Sequence, residues 1–138
     1  MKHRKFILVC FIFMLSNINI PIGNALQLSE TQNGQNILVK KSSEFTIQLK
    51  STYWQLVSIP TNSKVVRIGS ELIESVKPGP SAPNGCQHPG SGCGKITWKF
   101  RAVSIGTSII SATRTSCGEA LRCTEKDQNF KVTIKIIR

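Results

Sequence analysis

Ile96-Thr97-Trp98-Lys99-Phe100-Arg101-Ala102-Val103 places Ile96, Trp98, Phe100 and Ala102 at every second position, with Thr97, Lys99 and Arg101 between them. Side chains alternate across a strand, so one face of this stretch seeks a core and the other stays wet. Two further stretches repeat the pattern. In Glu44–Leu49, Phe45, Ile47 and Leu49 share one face. Toward the C-terminus, Phe130, Val132, Ile134 and Ile136 alternate with Lys131, Thr133 and Lys135. Shorter apolar runs at Asn36–Lys40, Trp54–Ile59, Lys64–Ile68, Leu72–Val76 and Thr107–Arg114 complete a set of seven to eight strands. Helical spacing is not sustained anywhere after residue 25. The expectation is an all-β, two-sheet antiparallel sandwich. Its core comprises Phe45, Ile47, Leu49, Trp54, Ile96, Trp98, Phe100, Val132, Ile134 and Ile136.

The chain has 138 residues, 40% of them apolar, so it is neither a charge-rich disordered chain nor a membrane bundle. Its N-terminus reads as an address. Lys2, His3, Arg4 and Lys5 precede the apolar block Phe6–Leu15, which is too short to span a bilayer at about 20 residues per helix. Pro21 follows, and the small residues Gly23 and Ala25 stand at positions −3 and −1 of a signal-peptidase site. Residues 1–25 are therefore expected to be a cleaved secretory signal, and 26–138 an exported domain with no stable membrane insertion. An uncleaved anchor is the alternative. Cleavage removes Lys2, Arg4 and Lys5, lowering the formal charge from +11 by three to +8.

Four cysteines remain after cleavage: Cys86, Cys93, Cys117 and Cys123. In an exported chain they imply two disulfides with three possible connectivities. Sequence neighbours close the smallest loops, so Cys86–Cys93 and Cys117–Cys123 are expected. A zinc site built from four cysteines ordinarily uses two C-x2-C pairs. Here six and five residues separate the neighbours, and no metal or other cofactor is expected.

Lys77–Gly94 interrupts the strand rhythm with four prolines and five glycines in eighteen residues. Long inserts of this kind in a compact domain are usually functional or mobile. With the second tied loop, Thr115–Lys126, it forms a platform for binding a protein surface. Catalysis is not expected: His88 is the one histidine after residue 25, no acid lies within ten residues of it, and Asp127 is the single aspartate. Lys99, Arg101, Lys131 and Lys135 alternate onto outward faces, where a stripe would attract polyanions. Stacking on nucleic acid needs exposed aromatics beside such cations. Here the aromatics alternate inward, and nucleic acid is not an expected partner.

From Gly90 the chain reads GSGCG, then KITWKFRAVSIGTSIISATR to Arg114, then a tied loop, then NFKVTIKI from Asn129. With Glu44–Leu49 and Trp54, this order resembles the chagasin-like inhibitors of papain-type cysteine proteases. The resemblance implies an immunoglobulin-like domain that blocks a protease cleft reversibly with three loops. Carried onto this chain, the loops are Ser51, Thr52 and Tyr53 before Trp54; Gly90, Ser91, Gly92 and Gly94; and Arg114, Thr115 and Ser116. The family's Asn-Pro-Thr-Thr-Gly is absent before Trp54, and Thr115-Ser116 stand where it has Pro-Trp. Tyr53, placed at the surface opposite an inward Trp54, is expected to supply the aromatic contact, with Arg114 on the rim. The alternative is a secreted immunoglobulin-like binding module without inhibitor activity. The expected partner is accordingly a cysteine protease or another protein surface, bound by a monomer.

Overall fold

The computed structural model describes residues 25–118 and 121–138. The expected signal peptide falls, apart from Ala25, outside the described residues. Among those described, no helix is long and apolar enough to cross a membrane.

The strands, in chain order, are β1 (Leu26–Leu28), β2 (Asn36–Lys40), β3 (Glu44–Lys50), β4 (Gln55–Leu56), β5 (Val65–Arg67), β6 (Leu72–Ser75), β7 (Gly94–Ala102), β8 (Gly106–Thr113), β9 (Ser116–Gly118), β10 (Leu121–Arg122) and β11 (Asn129–Ile137); a four-residue helix, α1 (Glu125–Gln128), precedes β11. One sheet runs β1-β3-β7, and β5 and β6 lie one after the other along the far edge of β7. The second sheet runs β2-β11-β8-β4, while β9 and β10 form a small separate hairpin. The architecture is the expected all-β sandwich.

All ten expected core residues are buried. Antiparallel pairing sets Phe45 opposite Phe100, Ile47 opposite Trp98 and Leu49 opposite Ile96, and the Phe45 and Phe100 rings stack at 5.5 Å between centroids. From the second sheet, Phe130, Val132, Ile134 and Ile136 meet them with Ile110 and Ala112 of β8. A period of two on each long strand thus delivers one apolar face per sheet to a shared interior.

Two features differ from the expectation. The sheets are mixed: β1 runs parallel to β3, and β2 parallel to β11. The cause is the crossing made by the first described residues. Ser29 caps a short 3-10 turn at Glu30–Gln32, with the Gln32 side chain accepting from the Ser29 amide at 2.8 Å. Asn33 then accepts from the Lys131 amide at 2.8 Å and donates to the Asn129 carbonyl at 3.1 Å. This turn moves the chain from an edge of one sheet to an edge of the other. The strands also number eleven among the described residues, because three-residue β1 and the β9–β10 hairpin fall below the length at which alternation is readable. Trp54–Ile59 pairs as a strand over Gln55–Leu56 only.

Among the described residues, one buried polar side chain ties the sheets together. Ser108 Oγ on β8 accepts from the Lys64 amide at 2.6 Å and from Ser63 Oγ at 3.0 Å, just before β5 in the opposite sheet. Ser108→Ala removes the acceptor and leaves a partly buried N–H unpaired, which costs about 1–2 kcal/mol. The urea midpoint should fall with the slope of unfolding unchanged. An unmoved midpoint would show that the tie adds nothing.

The four cations read as one stripe are divided between the sheets. Lys99 and Arg101 both pair with Glu44, each at 2.5 Å. Hydrogen bonds from Lys99 and then Arg101 hold the Glu44 carboxyl below the usual carboxylate range. Lys131 and Lys135 lie on the outer face of the second sheet.

Candidate functional site

Three connections gather at one end of the sandwich: Ser51–Trp54 after β3, the long segment between β6 and β7, and the residues following β8. The first two behave as one frame. The Ser51 amide donates to the Gly94 carbonyl at 2.8 Å, and the Thr52 amide to the Gly92 carbonyl at 2.9 Å. Tyr53 adds a third bond, its hydroxyl donating to the Gly90 carbonyl. Ser51 itself takes a positive φ of 93° and accepts from the Tyr53 amide at 3.2 Å, which bends the chain back toward Trp54.

Gly92 is where this frame depends on glycine. Its φ is +63°, and a Cβ there would fall on the Tyr53 ring. The same holds for the backbone at Gly94 (φ +136°), where a Cβ would strike the Glu74 carbonyl. The close approaches that a glycine-rich segment permits are therefore made within the molecule. Tyr53 itself is half-buried, with its ring folded against Gly92.

The disulfides are the expected pairs, Cys86–Cys93 and Cys117–Cys123, with Cα atoms 5.7 and 5.0 Å apart. The first closes the half of the long loop that carries Gly90–Gly94, and the Val76 amide anchors its stem on the Cys93 carbonyl at 3.0 Å. His88 is exposed in that loop.

Arg114 is held by two contacts within the molecule. Its guanidinium lies over the Trp54 ring at 4.6 Å from the centroid, and its Nε donates to the Asp127 carbonyl at 2.8 Å. Trp54 is buried beneath, with its Nε1 donating to the Lys50 carbonyl at 2.9 Å. Arg114 thus joins the third loop to the first. No spacing rule links residues sixty apart, so the pair was not readable from the chain.

Together these segments border a groove of about 700 Å³. Ser51, Ser91, Gly92, Gly94 and Arg114 line it, with Cys93 and Cys117 on its walls and the Lys95–Glu74 ion pair, 3.1 Å long, along its floor. Thr52, Tyr53 and Gly90 stand behind the lining as its tethers. Thr115 is exposed and Ser116 opens β9, and neither lines the groove.

No protein-family model matches the chain, and no curated protein matches it in sequence. Solved structures do match. The crystal structure of the cysteine protease inhibitor EhICP2 from Entamoeba histolytica superposes with a TM-score of 0.55 at 12% identity, covering 82% of this chain and 95% of that one. The solution structure of Amebosin gives 0.54 at 15% identity, covering 83% and 100%. At these identities the likeness is one of fold alone: the chain shares its all-β sandwich with these two structures.

Proposed function

We propose that the chain is exported after cleavage behind Ala25 and acts as a monomeric, reversible inhibitor of papain-type cysteine proteases. The observation that carries this reading is the convergence of Ser51–Tyr53, Gly90–Gly94 and Arg114 on one end of a rigid sandwich, tied to one another by backbone bonds and by the Arg114–Trp54 stack. Loops gathered at one end of a sandwich present a common surface to a partner. The fold shared with a cysteine protease inhibitor supports the same reading. Ser51–Tyr53, Gly90–Gly94 and Arg114–Ser116 would enter the cleft as a preorganised unit, and preorganisation lowers the entropy lost on binding. The segments would fill the cleft by noncovalent contact, so inhibition would be competitive and reversible.

A second reading rests on a specific observation: Tyr53 is engaged inside the frame, and no other aromatic stands in the three segments. A binding module directed at a different protein surface would use the same frame. Titration of papain with the purified exported protein separates the two. Stoichiometric, dilution-reversible loss of activity is expected, with N-terminal sequencing beginning at Leu26. Full papain activity at high micromolar protein would overturn the inhibitor reading and leave the binding module.

A further inference from the structure

The two sheets differ sharply in how their outer faces handle charge. Around the five-stranded sheet, carboxylates answer the cations: Glu71 pairs with Arg67, Glu74 with Lys95, and Glu44 with both Lys99 and Arg101. The four strands of the other sheet, β2, β4, β8 and β11, contain no aspartate or glutamate at all. Lys40, Lys131 and Lys135 project from its outer face, and none has a carboxylate partner among the described residues.

Between these lysines stand aliphatic side chains at positions that alternation would ordinarily keep polar. Leu38 is 63% exposed, Ile109 49% and Ile137 39%. The register interleaves the two kinds: Leu38 lies beside Lys135, and Lys40 beside Ile137, while Ile109 neighbours Thr133 on β11. The result is a sheet face of alternating cations and branched aliphatics, with small hydroxyl residues completing it.

We propose that this face is a peripheral docking surface for an anionic lipid bilayer. Charge complementarity points to a negative partner, and the aliphatics choose among negative partners. A soluble polyanion gains nothing from Leu38 or Ile109. A membrane surface takes both, because apolar side chains enter the headgroup–acyl boundary while lysine stems lie along it with their ammonium groups at the phosphates. A second copy of the chain is disfavoured, since packing two such faces would set lysines against lysines. The face belongs to the sheet opposite the Lys95–Glu74 floor of the groove, so the proposal stands apart from any protease reading.

Cosedimentation of the purified protein with vesicles tests it. Binding is expected to phosphatidylcholine vesicles containing one third phosphatidylserine, to be absent with phosphatidylcholine alone, and to be lost in half-molar salt. Each lysine near an anionic surface is worth roughly fivefold in partitioning. Lys131→Glu/Lys135→Glu should therefore lower binding by more than about 25-fold, and Leu38→Ser should lower it several-fold. Melting temperatures confirm that these surface variants are folded, and Lys40→Glu reads the same face if the double variant is not. Absence of binding to the anionic vesicles at low salt would overturn the proposal, as would full binding by the charge-reversed variant. Displacement by heparin with Leu38→Ser unchanged would overturn it in favour of a soluble polyanion. A dimer in sedimentation that Leu38→Ser dissociates would overturn it in favour of a second copy.

Discussion

Trp98→Ala should remove about 3–5 kcal/mol of stability, the usual cost of truncating a buried aromatic. Trp98 is 1% exposed and sits opposite Ile47 in the middle of the five-stranded sheet, among the largest side chains of the interior. Ile47 opposite it cannot move in to close the gap, because β3 is paired on both sides, to β1 and to β7. Domains of this size have only about 5–15 kcal/mol in total. The melting temperature should fall by more than about 10 °C, and a variant melting within about two degrees of the parent would show that the ring does not bear on the core.

The second large effect concerns binding. Tyr53→Ala should weaken papain inhibition by about 2 kcal/mol or more, the scale of a hot-spot residue, or roughly thirtyfold. The mechanism argued from the geometry is indirect. Tyr53 holds the Gly90–Gly94 segment through its hydroxyl and through ring contact at Gly92, so its loss frees the segment that would enter the cleft. Tyr53→Phe keeps the ring and loses one hydrogen bond, and should cost about 1 kcal/mol. Hydrogen exchange at the Gly90–Gly94 amides of the free protein separates this from direct contact with an enzyme. It should rise in Tyr53→Ala and, to a smaller degree, in Tyr53→Phe. Unchanged exchange in both would show that Tyr53 is no tether.

The long strands were legible because alternation survives any choice of topology: Phe45, Trp98 and Val132 are buried whichever sheet their strands join. What depends on topology was not. Lys99 and Lys131 alternate outward alike, yet one pairs with Glu44 and the other faces away on the opposite sheet. The pairing of β1 and β2 with their neighbours was hidden as well: three-residue β1 carries too few positions for a period, and the period of five-residue β2 does not say which strand lies beside it. At the site, Gly92 announced an unusual backbone but not its occupant. The Tyr53 ring reaches it from 39 residues away, and Arg114 reaches Trp54 from 60. Cys86–Cys93 and Cys117–Cys123 were readable because loop closure favours near neighbours, a local property.

The crossing at Ser29–Gln35 also has a kinetic consequence. It delivers β2 to β11, so the second strand of the chain must wait for the last one before it has a neighbour. Until then one sheet lacks both its centre and its edge, and the chain cannot fold outward from its beginning. Pairings between segments nearly a hundred residues apart carry a heavy closure entropy, and folds dominated by them assemble over milliseconds to seconds. During that interval Val39, buried in the finished sandwich, is uncovered.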